Sequence, residues 1–379
     1  MKHNILVLIT LLAYVNISAI GQQIISTDIT TINRCSTMDV YHERLLANPS
    51  METLDDFEEW MQNVRNTQAQ NPNSTSSKQL PEIYTIPTIV HIIHDGEQIG
   101  SGSNISYAQI LSQFDVLNED FRRIMGTPGY NTNAVGTDSE IEFCPAEFDP
   151  DGNALAEPGV NRIDRSDAGF SAPSYSTNYI DNTIKPNTSW NPDSYMNVWV
   201  MTLGSGLLGY AQFPETSLGG LSTASQSGST DGVVIGYQYF GRVGTVSAPF
   251  DEGRTATHEI GHYLGLRHIW GDGGCGADDF CDDTPASDGS NGGCSSTTSC
   301  GSTDMVENYM DYSDDACMNI FTVCQGDRMR FVMENSPRRN ALLNSAACTP
   351  PTVPPIANFT ANITAGCPGL GVQFFDQSS

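Results

Sequence analysis

Basic residues are scarce in this chain. Seventeen Lys and Arg stand against 44 Asp and Glu over 379 residues, a formal net charge of −27. Such a surface repels polyanions, so nucleic acid and anionic membrane are set aside as partners, and the acidic excess points to solubility and calcium binding. Long apolar runs are also wanting. The stretch from Ile5 to Val15 follows Lys2 and His3 and precedes Ala19-Ile20-Gly21. It is too short to span a bilayer and has the form of a signal peptide over residues 1–21, so a secreted, extracellular protein without a membrane span is expected. Histidine is rarer still, at seven residues.

Three of those histidines fall in one window, His258-Glu259-Ile260-Gly261-His262-Tyr263-Leu264-Gly265-Leu266-Arg267-His268. On a helix, His258 and His262 stand at i and i+4, so both imidazoles leave one face and can grip one ion. Glu259, beside the first ligand, can hold and deprotonate a water there. His268 cannot reach that face from a straight helix, because ten residues rotate about 1000°, roughly 80° off the face. Gly265 can take positive φ, end the helix and let the chain swing His268 back. Three nitrogen donors with an open fourth position suit a catalytic zinc ion. A surface helix that merely carries histidines would not also supply the Glu and the Gly in place. Downstream, Asn308-Tyr309-Met310-Asp311-Tyr312 has the form of a tight turn with a methionine floor beneath the metal.

The extended motif, the methionine turn, the segment 253–262, Asp282-Asp283-Thr284-Pro285 and the segment 308–322 together resemble the pappalysin family of the metzincin clan of zinc endopeptidases. The similarity is greatest to its cytophagalysin-like bacterial members and covers roughly residues 30–348. The resemblance implies an α/β (α+β) zincin fold: a twisted mixed β-sheet with two long helices above, and an irregular, disulfide-stapled lower lobe after Gly265. It implies peptide-bond hydrolysis in proteins or peptides, with His258, His262 and His268 on zinc, Glu259 as general base, Met310 under the metal and Tyr312 donating to the oxyanion. It implies Asp315 as a specificity acid for Arg or Lys at P1′. It also implies Ca2+ on the Asp-rich loop 271–285, from Asp279 and Thr284 with backbone carbonyls near Asp278 and Cys281; a merely solvated acidic loop is the alternative. For the cysteines it implies Cys275–Cys300 and Cys294–Cys317, leaving Cys281–Cys324 and Cys144–Cys348 as the remainder. A cysteine-rich zinc module is the rival, disfavoured in an oxidising compartment.

Cys35 stands apart in Asn33-Arg34-Cys35-Ser36-Thr37. Related zymogens use a pro-segment Arg-Cys-Gly-Thr cysteine to ligate the zinc and silence the enzyme; Ser36 replaces that glycine here. The alternative is a disulfide with Cys367. Broken helical spacing over 39–65 suggests a short helical pro-segment serving as the enzyme's own inhibitor, over residues 22–80. The expected catalytic domain, 81–348, opens with a strand over Tyr84–His94, in which His91 and His94 read as structural rather than as ligands. A helix over 107–123 and strands over 140–147, 195–203 and 232–235 follow, and Gly209–Pro214 resembles a cleft rim that pairs with extended substrate. A Pro-rich linker (349–355) leads to what looks like the opening of a PKD-type β-sandwich (356–379), as if the chain were a piece of a longer precursor. A non-catalytic adhesion module is the competing class; an intact Glu259 speaks against it.

Overall fold

The computed structural model describes residues 32–70, 83–217, 228–348, 359–361 and 374–376. Two helices, α1 (Thr37–Ala47) and α2 (Leu54–Gln70), precede the first strand. The spacing expected over 39–65 is broken because the chain turns at Asn48–Thr53 between them.

Strand β1 (Tyr84–His94) is almost wholly buried, as its run of Thr, Ile and Val favours. Its first half pairs in parallel with β2 (Ile141–Pro145) and its second half with β3 (Val160–Asp164). On its other side lie β4 (Met196–Met201), then β6 (Val233–Gly236), both parallel, and finally the edge strand β5 (Gly209–Ala211), which is antiparallel. The order is β2-β1-β4-β6-β5 with β3 beside β1. Both faces of this sheet are covered, as a mainly parallel sheet requires. Helix α3 (Tyr107–Phe121) and helix α4 (Arg254–Tyr263) lay Ile110, Phe114, Leu117, Ile260 and Tyr263 on the face that carries Val90 and Ile92. Ile180 and Ile184, from a π-helical turn Ile180–Ile184, pack with Ile93, Trp199 and Tyr210 on the other. Each large apolar side chain buried this way contributes roughly 1.5–3 kcal/mol before entropy.

Three elements depart from the sequence reading. Helix α3 stops two residues short of Arg123, whose φ of 46° takes the backbone out of the helical region. Strand β3 was not expected, because Val160-Asn161-Arg162-Ile163-Asp164 has little β-branched character and owes its pairing to β1. The region after Gly265 is irregular only as far as Thr322. There a capping box (the Thr322 side chain accepts from Gln325 N, and Gln325 answers at Thr322 N) starts α5 (Val323–Asn335), followed by α6 (Pro337–Leu342).

Disulfides join Cys144–Cys348, Cys275–Cys300, Cys281–Cys324 and Cys294–Cys317. Three of them cross-link the poorly cored segment between α4 and α5. Beyond residue 348 the short strands Phe359–Ala361 and Phe374–Asp376 pair antiparallel. Among the described residues no helix is long and apolar enough to cross a membrane. The signal peptide, the expected activation region near Pro81 and Cys367 lie outside the described residues.

Candidate metal centre

Helix α4 presents His258 and His262 one turn apart, and Gly265 (φ 90°) ends it as its sequence position requires. A Cβ at Gly265 would also lie 2.9 Å from Val332 Cγ2. The reversal brings His268 back, so that His262 Nε2 and His268 Nε2 are 3.1 Å apart. One ligand atom from each of Cys35, His258, His262 and His268 lies within 4.8 Å of every other, and all four residues are buried.

The far side of each imidazole is fixed. His258 Nδ1 sits 2.7 Å from Tyr309 O, His262 Nδ1 2.9 Å from Leu266 O, and His268 Nδ1 2.6 Å from Asp272 Oδ1. With every Nδ1 proton donated outward, every Nε2 lone pair points inward, and His258 Nε2 has no hydrogen-bond partner. Burial and the neighbouring imidazoles hold His258 well below its usual pKa, and burial takes His262 down to about 3. Three imidazoles converging on one point, with outer partners in place, fit a zinc-like cation.

Tyr309 and Met310 reach the site through a turn braced from α5. Asn308 and Gln325 exchange side-chain amide hydrogen bonds of 3.0 and 3.1 Å, and Asn308 Oδ1 accepts from Met310 N. Met310 is fully buried against α4 between the two ligands: a Cβ on Gly261 would come within 2.4 Å of its sulfur. Trp270 stacks on His268 at 4.3 Å between centroids, and the Tyr312 ring lies 5.0 Å from His268 and 5.7 Å from His258.

Residues 33–37 fill the cleft. Asn33 pairs with Leu207 in parallel, Ser36 N donates to Gly209 O at 3.1 Å, and Ala211 N donates to Thr37 Oγ1 at 2.9 Å. Cys35 Sγ stands 3.4 Å from Glu259 Oε2, which also accepts from Thr37 Oγ1 at 2.9 Å; Glu259 Oε1 has no partner. Burial lifts Glu259 to about 8 and, with Glu259 beside it, lifts the Cys35 thiol as well. Tyr312 OH donates to Cys35 O at 3.3 Å. Arg34 lies over the Phe250 ring at 4.4 Å and reaches Asp315 Oδ1 at 3.2 Å. Asp315 is fully buried, and its other oxygen accepts from Glu252 N and Arg254 N.

Elsewhere, Asp279 and Thr284 meet as the acidic loop suggested. Thr284 Oγ1, with one proton to give, lies 2.9 and 2.8 Å from the two Asp279 oxygens and 2.6 Å from Cys281 O. The Asp278 side chain is exposed and accepts from Phe280 N. Cys281 and Cys324 are joined, which removes the cysteine-rich zinc reading of this loop. His91 is a core residue, stacked on Trp199 and bonded to Asn197 and Asn161. The sequence reading missed Asp272, Arg34 and Thr37. Asp272, four residues past His268, could have been suspected as an outer partner; Arg34 and Thr37 match the Arg-Cys-Gly-Thr pattern, which gave them no partner.

The Peptidase_M43 family model, described as pregnancy-associated plasma protein-A, matches residues 178–334. An extracellular metalloprotease of Arthroderma benhamiae is 30% identical over 298 residues, covering 77% of this chain and 85% of the relative. Mature mirolysin of Tannerella forsythia, solved with a cleaved peptide, is 40% identical with a TM-score of 0.60, covering 71% of this chain and 99% of that one. A point mutant of promirolysin from the same organism is 37% identical with a TM-score of 0.64, covering 84% and 99%.

Proposed function

This chain belongs to the pappalysin family of metzincin metalloendopeptidases, extracellular enzymes that have a zymogen form, and from that premise we propose a zinc endopeptidase held latent by residues 33–37, with Glu259 as its general base. The observation that carries the reading is the set of three imidazoles whose outer nitrogens are all committed, so that three inner lone pairs face one point beside Cys35 Sγ, which contacts Glu259 Oε2. His258, His262 and His268 would hold the ion. Bound there, zinc supplies Lewis acidity, polarising a carbonyl and making water a competent nucleophile near neutral pH.

Glu259 does the proton work. Its carboxylate takes a proton from the attacking water and returns it to the leaving amine nitrogen, a role worth about 10²–10⁴-fold. Tyr312, whose hydroxyl grips the Cys35 carbonyl, would donate to the scissile carbonyl oxygen as charge builds on it. In the latent form Cys35 would join the three histidines in holding the ion, as a thiolate, the state a coordinating cation imposes on a buried thiol. The pro-segment reading over 22–80, with the catalytic domain over 81–348, is supported by the larger share of this chain that promirolysin covers compared with the mature form.

Asp315 would receive Arg or Lys at P1′. Support comes from Arg34, a guanidinium already resting on that carboxylate. The direction of the chain then explains why residues 33–37 are not themselves a substrate. A substrate runs from the metal centre toward the P1′ pocket, whereas the pro-segment runs from that pocket (Arg34) to the metal centre (Cys35) and on along β5. It is parallel to β5, so a substrate lies antiparallel to it. At the acidic loop, one hydroxyl proton facing three oxygens fits a Ca2+ that Asp279, Thr284 and the Cys281 carbonyl would share.

The test is hydrolysis of a peptide library by chain cut between residues 71 and 82, with and without chelator, beside Glu259→Ala. Chelator-sensitive cleavage before Arg or Lys that vanishes in Glu259→Ala is expected. Folded, zinc-loaded protein that cuts nothing sinks the catalytic reading.

A further inference from the structure

A second arginine of the pro-segment lies in a second acid-lined site. Arg44, on α1, ion-pairs with Asp181 Oδ2 and donates from Nη1 to Gln212 Oε1 at 2.7 Å. Asp181 belongs to the π-helical turn Ile180–Ile184, and Gln212 directly follows edge strand β5. The two Asp181 oxygens are divided in function. Oδ1 faces inward, where the Tyr210 hydroxyl donates at 2.8 Å and the fully buried Lys185 Nζ stands at 2.9 Å. Oδ2 faces Arg44. A cavity of about 310 Å³ runs beside this contact, bordered on the catalytic side by Thr177, Asn178, Asp181, Asn182 and Thr230.

We propose that Asp181 Oδ2 and Gln212 Oε1 form a second substrate subsite, which takes an arginine upstream of the scissile bond and which Arg44 occupies in the latent enzyme. The inference rests on the reading of Asp315 as the P1′ pocket, because that reading sets the direction of substrate. Arg34 and Arg44 lie on opposite sides of Cys35 along the pro-segment. Reversed, the Arg34 side is P1′ and the Arg44 side is the unprimed end, past the residue that pairs with Ala211. Seven helical residues from Thr37 to Arg44 advance about 10 Å, as far as about three residues of extended peptide.

Arginine is favoured over lysine on geometric grounds. Lys185 already balances the Asp181 charge, so little net field remains to attract a point cation. What remains is two outward oxygens on separate side chains, which the planar fork of a guanidinium can bridge and a single ammonium cannot bridge as well. Thr230 Oγ1 donates to the same Gln212 oxygen at 2.7 Å and steadies it.

The test uses the full chain, activated by cleavage between residues 71 and 82, on quenched peptides that all keep Arg at P1′. Positions P2 to P5 are varied one at a time among Arg, Lys, Ala and Glu. At one of these positions kcat/KM should be about tenfold higher for Arg than for Ala, with Lys between them. Asp181→Asn alone would strand the buried Lys185, so it is paired with Lys185→Met. That double variant should bring kcat/KM for the Arg and Ala peptides within twofold of each other. Gln212→Leu should remove the advantage of Arg over Lys. Equal rates for Arg and Ala at all four positions overturn the proposal, as does a preference that survives both variants. A parallel peptide set with Ala at P1′ separates the two readings: equal cleavage of Arg and Ala at P1′ strikes the Asp315 reading and with it the substrate direction assumed here, whereas equal rates at P2 to P5 with the P1′ preference kept strike this subsite alone.

Discussion

The two halves of the N-terminal segment hold the catalytic region by different means. Residues 33–37 make polar contacts at the candidate site: Arg34 to Asp315, and Cys35 and Thr37 to Glu259. Helix α2 touches none of these. It buries Phe57, Trp60 and Met61 against Phe331 and Val332, and sets Glu58 between Arg267 and Arg328. On the proposed reading, the first half would block chemistry with little apolar area. The second supplies affinity, and by tethering the plug it raises its local concentration at the cleft. Latency divides into a part that must be chemically specific and a part that need only be sticky.

Cys35→Ser should break this division most severely. If Cys35 supplies a thiolate to the metal, a hydroxyl would be a poor replacement, so the uncut chain should gain about 100-fold in peptidase activity. Its melting temperature should move little, because α1 and α2 remain docked. Trp60→Ala is the reverse experiment. Emptying that site costs about 3–5 kcal/mol, so a separately made pro-segment should inhibit the cut enzyme at least 100-fold more weakly, measured as Ki, even with Cys35 intact. Chelation of calcium comes next: if Asp279 and Thr284 share an ion, millimolar Ca2+ should raise the melting temperature by about 5 °C, and Asp279→Asn should abolish that rise. Glu58→Gln should have the smallest effect. It keeps one acceptor oxygen for Arg267 and Arg328 but turns the other into a donor and removes the charge, so Ki should weaken about tenfold. If Glu58→Gln outweighs Trp60→Ala, the assignment of affinity to apolar packing is wrong.

The metal centre was more legible in the sequence than the segment that covers it. His258, Glu259, His262 and Gly265 owe their places to one helix and its termination, and helical rotation is a local rule. Only His268 needed the chain to turn, and Gly265 announced the turn. Arg34–Asp315 and Thr37–Glu259 join residues more than 200 positions apart, and no local rule pairs them. The same holds for β3, a weak strand recruited by a strong neighbour, and for Arg44–Asp181. The helix α5 was missed because its capping box lies in a stretch read as disulfide-bound loop. Asp272 was hidden by conformation: its φ of 58° lets the carboxylate fold back onto His268.

The bridge between Cys144, on β2, and Cys348, beyond α6, spans 204 positions. A backbone cut anywhere between those two residues yields fragments that still carry one cysteine each of the pair. A molecule of this enzyme nicked by a sister copy therefore stays a single covalent body. Its sheet strands, imidazoles and methionine turn all lie on that laced loop or beside it, so damage from its own kind need not mean dispersal.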